Sequence, residues 1–301
     1  MNIVRYCPSV LAILAACVPV CVALLAGCGD KSPTDAESIG LYSPEAAISI
    51  ADLKDRMKSG ADADVRDDTG PSHVPEAQLY NPNAKIQLDI VADGNYGVGE
   101  VLEQAKGALG KNKYDVCLAM VGVRDAMQAS DPAAALADFT AKYKELLDLL
   151  DAQHVPVVVC EILPIVDAYQ KPTYKMPAAE INQLIGKMNE AIYALALEQA
   201  DAIVFASKVL GPMVNTSKNS IILNEANSGR KNGVQPTFEG MRLLCQLFAQ
   251  GLHKEGYRGE RILVLGDTVV ANAAMTRKID AVSFLLPKYL EIELNKTLGA
   301  P

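Results

Sequence analysis

Arg261-Ile262-Leu263-Val264-Leu265-Gly266-Asp267-Thr268-Val269-Val270 lies near the end of the chain, and its reading decides the fold. Four apolar residues run straight into Gly-Asp-Thr. This pattern predicts a buried strand that breaks into a tight turn and presents a hydroxyl just past the break. A strand of this kind usually opens an α/β domain, whereas here it nearly closes one.

Outward from this stretch the chain alternates between two patterns. Strands are expected at Lys85–Ala92, Tyr114–Gly122 and Val155–Ile165, with a fourth candidate at Asp201–Leu210. Between them the spacing predicts helices over Glu100–Gly110, Pro132–Gln153, Ala178–Ala200 and Met241–Gly256, and a last amphipathic one around Ala281–Leu298. Upstream, Ser43-Pro44-Glu45 reads as an N-cap with proline in the first turn, predicting a helix that runs to Gly60. Continuous apolar strands alternating with helices imply a parallel sheet covered on both faces. The expected fold class is therefore α/β, a three-layer doubly wound parallel sheet. Sites in such sheets form at the carboxyl ends of strands. Those ends carry Asp93–Gly99, Gly122–Ala126 and Gly266–Thr268, and the loop Asn232–Pro236 precedes the last helix–strand unit.

Bulk properties narrow the function. The chain has 301 residues, half of them hydrophobic, and a formal net charge of -8, so a nucleic-acid-binding role is not expected. Tryptophan is absent, which disfavours an aromatic stacking platform. At the amino terminus, Arg5 precedes the apolar run Ser9–Cys28, which ends Leu25-Ala26-Gly27-Cys28. This has the order of a secretory signal, and its ending resembles the lipobox of bacterial lipoproteins. That resemblance implies a signal peptide over residues 1–27, acylation of Cys28, a polar tether over 28–42 and a domain over 43–301. The protein would then sit in a bacterial envelope, anchored in the membrane by lipid and facing the periplasm or the exterior. An uncleaved apolar anchor is the alternative. Cys117, Cys160 and Cys245 lie in apolar runs and read as buried thiols. No Cys or His spacing suggests a metal, and no cofactor is expected.

Taken together, the four strand-end stretches resemble the motif blocks of the SGNH/GDSL hydrolases, a family of α/β esterases and lipases. Ile262–Thr268 is similar to the family's strand plus Gly-Asp-Ser. Asn95–Gly99 resembles its Asn-x-Gly block, Gly122–Asp125 its Gly-x-Asn-Asp block, and Asn232–Thr237 its Asp-Gly-x-His-Pro-Thr block. The likeness spans about Lys85 to Thr276. The first block comes last, which is what a circular permutation produces; chain ends that lie close in space make such a rearrangement tolerable. A worn first block at Val65–Gly70 is the alternative, but that stretch is too polar for a central strand.

The resemblance also implies roles, and several of the residues depart from them. The nucleophile position falls on Thr268, the base position on Gln235 and the orienting acid on Asn232. The oxyanion asparagine falls on Arg124, and the oxyanion glycine on Gly97 or Gly99. Glutamine has no protonation equilibrium near neutrality, so it cannot accept and return a proton. A hydroxyl without an adjacent base is a poor nucleophile. The histidines His73, His154 and His253 have no spacing that recommends them as substitutes. Arg124 places a guanidinium fork where the family has an amide, a group suited to a carboxylate or phosphate. Its alternative is an internal pair with Asp125 or Asp267 that plugs the site. Asp267 follows Gly266 and is expected to line the site and tie the turn through backbone hydrogen bonds. Asp115 and Asp201 read as solvated residues ahead of strands. The expected function is a catalytically impaired, hydrolase-like binding module for an anionic or acylated envelope ligand. The alternatives are an active esterase on acylated glycans or lipids, and a periplasmic solute-binding protein.

Overall fold

Helices and strands alternate along most of the chain in a computed structural model. It describes residues 47–59, 87–166, 174–228, 233–254 and 261–271, together with 290 and 293. Cys28, His73, Asn232, the signal and tether segments and most of the expected last helix lie outside the described residues.

Among the described residues six strands form one sheet: β1 (Ala47–Ser49), β2 (Gln87–Ala92), β3 (Val116–Met120), β4 (Val157–Cys160), β5 (Ala202–Val204) and β6 (Arg261–Gly266). Their spatial order is β1-β5-β4-β3-β6-β2. The last strand in sequence thus lies inside the sheet, between β2 and β3. Its register places Val264 beside Ile90 on one side and Leu118 on the other. Ile262, Leu263, Val264 and Leu265 are fully buried. Such a strand gains roughly 1.5–3 kcal/mol per buried side chain, and β-branched residues suit its pleat. At the β2 end of the described sheet, no side chain of β2 is buried against the described residues, and Ile90 is among the exposed large hydrophobics.

The sheet is mixed rather than wholly parallel. β1 pairs antiparallel with β5, while the other pairings are parallel. Residues 47–49 were expected to be helical. Burial of Ala47 and Ile48 against the sheet edge overrides that local tendency. The helix α1 (Ile50–Ser59) starts only afterwards, where the Ser49 hydroxyl accepts the Asp52 amide.

The longer helices are α2 (Val98–Leu109), α4 (Pro132–Ala152), α5 (Ala178–Gln199) and α8 (Phe238–Lys254). Short ones are α3 (Val123–Gln128), α6 (Ala206–Leu210), α7 (Glu225–Ser228) and α9 (Thr268–Ala271). The start of α4 follows from its sequence. Asp131 accepts from the Ala133 and Ala134 amides at 2.9 and 3.1 Å, with Pro132 in the first turn. Its buried face, Phe139, Tyr143, Leu146, Leu147 and Leu150, has helical spacing. Helices α2, α4 and α5 pack side by side, and α8 lies against β1 and β5. The arrangement is compatible with a three-layer α/β fold. Cys117, Cys160 and Cys245 are buried thiols.

Candidate functional site

Three strand-to-helix turns meet where β2, β6 and β3 end. Because β6 lies between the other two, its turn touches both. The Thr268 hydroxyl donates to the Gly94 carbonyl at 2.9 Å, joining β6 to the β2 turn. The Asp267 carboxylate reaches the other way. Its Oδ2 accepts from the amides of Gly122 at 2.8 Å and Arg124 at 3.3 Å, while Oδ1 accepts from Val269 at 3.2 Å. A third tie runs from the β3 turn back to the β2 turn. Both Asp125 oxygens accept from the Val98 amide, at 3.2 and 3.0 Å.

Two glycines permit this packing. Gly122 adopts φ 131°, and a Cβ there would lie 2.4 Å from Ile162 Cδ1 and 2.8 Å from Phe139. A Cβ on Gly97 would lie 2.7 Å from Asp125 Oδ1. The Gly97 amide donates to Glu100 Oε2 at 2.9 Å, a capping contact at the start of α2. That amide, expected as an oxyanion donor, is therefore already engaged. Gly99 lies within the first turn of α2 and faces Lys142 of α4.

The electrostatics of this edge are unusual. Asp267 is 1% exposed, and burial pushes its carboxyl up to about 6 against the pull of its amide donors. Asp125 is pushed up to about 7, first by burial and then by the neighbouring Asp267 charge. Two carboxyls thus sit close enough to repel, held by amides rather than by cations. Among the described residues the Arg124 side chain forms no ion pair with either; only its backbone amide meets Asp267. The expected alternative of an Arg124 plug does not match this geometry.

The nucleophile position is enclosed. Thr268 is 9% exposed, and its proton points to a carbonyl rather than to a base. Gln235 is buried in a turn pinned by backbone hydrogen bonds: Leu223 donates to the Gln235 carbonyl, and Gly233 donates to the Leu223 carbonyl, both at 2.8 Å. Val166, beyond β4, donates to the Gly233 carbonyl at 2.9 Å, so this loop is fastened at the same edge of the sheet. That segment beyond β4 is itself clamped by two side chains of α5. Asn189 bonds both backbone groups of Ile162, and Asn182 both of Ile165. His154 lies in the exposed turn from α4 into β4, at the opposite edge, where it cannot serve Thr268.

Asp115 and Asp201 are not merely solvated. Asp115 accepts from the Arg261 amide at 2.8 Å and Asp201 from the Val157 amide at 2.7 Å, each tying the start of a neighbouring strand. The site roles of Glu100, Asn182 and Asn189 were not read from sequence. A Glu three residues after Gly97 was a visible capping signal; the two asparagines, seven residues apart on one face of α5, gave none. Comparison with protein-family models finds no match, and comparison with curated proteins finds none.

Proposed function

We propose that residues 43–301 form a circularly permuted domain of the SGNH/GDSL-hydrolase type, impaired in ester hydrolysis, that binds an anionic group of an envelope ligand. The placement of β6 carries this reading. With β6 taken as the family's first strand, the order β2-β6-β3-β4-β5 becomes the 2-1-3-4-5 order of a doubly wound sheet. The late Gly-Asp-Thr turn then occupies the central strand end, bonded to the turns of the Asn-x-Gly and Gly-x-Asn-Asp counterparts. The impairment follows from residue chemistry. The Thr268 hydroxyl donates its hydrogen bond to the Gly94 carbonyl rather than to a base, and Gln235 stands where the resemblance puts a histidine. Arg124 supplies a guanidinium that neither neighbouring carboxylate takes up. The same reading makes the chain a lipoprotein held at the bacterial envelope through Cys28.

An active esterase would need a base beside Thr268. A solute-binding protein of the usual two-lobed kind would show two sheets, and the described strands form one. The deciding experiment pairs two measurements on the full chain. Short acyl esters should turn over no faster with wild type than with Thr268→Ala. Inorganic phosphate should bind wild type about 10–100-fold more tightly than Arg124→Ala, the range of a charge-assisted bond. Robust turnover abolished by Thr268→Ala would overturn the impairment, and equal weak phosphate binding would overturn the anion site.

A further inference from the structure

Two carboxylates perform all the cross-turn anchoring of backbone amides described at the β2–β6–β3 edge. Asp267, at the end of β6, holds the amides of Gly122 and Arg124 at the start of α3, and that of Val269 within its own turn. Asp125, one residue beyond Arg124, holds the Val98 amide at the start of α2. The chain of contacts therefore runs from α9 through α3 to α2 by way of two acids. These acids are neighbours, because Asp267 binds the backbone on which Asp125 sits.

The surroundings do not neutralise them. From α2, Glu100 adds a further negative charge to the field at Asp125. From α4, the Lys142 charge reaches Asp125, but its ammonium is paired with Asp138 at 2.7 Å. From α3, Arg124 contributes its amide to Asp267. Among the described residues, the remaining hydrogen-bond partners of both acids are backbone amides. Amides stabilise an ionised acceptor but do not cancel two adjacent charges in a buried place.

We infer that Asp125 and Asp267 act as a proton-controlled latch: with one of them protonated the three turns are drawn together, and with both ionised their repulsion loosens the Val98 tie. This goes beyond the hydrolase-like reading and does not depend on which ligand the site takes. The tie at Val98 is the one that gives way. Among the described residues the only amide that Asp125 takes from another turn is that of Val98, shared between two oxygens, whereas Asp267 draws on the amides of Gly122, Val123 and Arg124 in the β3 turn as well as Val269 in its own. Gly97 gives the tie its room, since a Cβ there would lie 2.7 Å from Asp125 Oδ1. Protons set the direction. Both carboxyls hold their protons more strongly in the folded chain than in the unfolded one. The folded chain thus carries extra protons between about pH 4 and about pH 7, and its stability falls as pH rises through that window.

The test is carboxyl and amide NMR on the isotopically labelled full chain. Two aspartate side-chain carbons should titrate together between about pH 5 and about pH 8, away from the ordinary range near 4. Over the same interval the exchange of the Val98 amide, corrected for its intrinsic base dependence, should quicken by about tenfold, the effect of one unit of coupling. In Asp125→Asn that acceleration should disappear. Should Asp125→Asn not fold, the wild-type titration still decides, and Glu100→Gln should move the higher midpoint down. Carboxyls that both titrate near 4, or a Val98 amide whose corrected exchange is flat across their titration, would overturn the latch.

Discussion

At the amino edge of the sheet, Asp89, Asp115 and Asp201 accept hydrogen bonds near the starts of strands; at the carboxyl edge, Asp125 and Asp267 accept them at the ends of strands. The tasks are alike and the electrostatics opposite. Asp89 lies 2.7 Å from the Arg261 guanidinium and 2.8 Å from the Tyr114 hydroxyl, and Arg261 also stacks over the Tyr114 ring. Burial alone would raise the Asp89 carboxyl, but these hydrogen bonds and the Arg261 charge bring it below its ordinary value. Among the described residues, Asp125 and Asp267 have amides instead of a cation, and they have each other. Their carboxyls are raised. At the amino edge the Asp89 charge is therefore met by the Arg261 cation, whereas the carboxyl edge keeps two raised carboxyls in a buried turn cluster. Perturbed groups of that kind concentrate at functional sites, which is why the carboxyl edge is the candidate.

Substitutions at the two edges can break this contrast. The largest effect is expected from Asp267→Ala, which leaves the Gly122, Arg124 and Val269 amides without their acceptor. A loss of about 3 kcal/mol or more in urea unfolding follows from three amides left unpaired in and around a buried turn. Arg261→Met should cost less, about 1–2 kcal/mol, because water reaches the half-buried pair it breaks. Its effect should shrink in high salt and stay constant between about pH 5 and about pH 8, since Asp89 is ionised throughout. A pH-dependent effect there would erase the contrast between the edges. Asp115→Ala should be the smallest, within the error of the same unfolding measurement, because Asp115 is exposed and solvent can replace it at the Arg261 amide.

Much of the strand–helix alternation was legible because its signals are local. The run Ile262–Leu265 can only be a buried strand, and Asp131-Pro132 can hardly avoid starting a helix. The first strand was not legible. Ala47-Ile48-Ser49 has no β-signature of its own and becomes a strand by pairing with β5. In the site, Gly266-Asp267-Thr268 was found because a turn after a buried strand has few alternatives. That Asp267 would hold the β3 turn lies in a contact across 145 residues, which no spacing reveals. The same holds for the Gly97 amide. Its capture by Glu100 is a local pattern, yet its closeness to Asp125 depends on how α2 and α3 dock.

The sequence by itself determined where most of the described strands and helices lie, the acidic and apolar balance of the chain, and which residue types, Gln235 and Thr268 among them, the strand-end loops carry. These are matters of residue type and short-range spacing. Only the tertiary structure decided that the last strand lies inside the sheet, that the first runs antiparallel, and that two carboxylates meet beneath the turns. Strand order and buried electrostatics arise from contacts between segments far apart in the chain. Their energies depend on burial and distance, which exist only once the sheet has closed around β6.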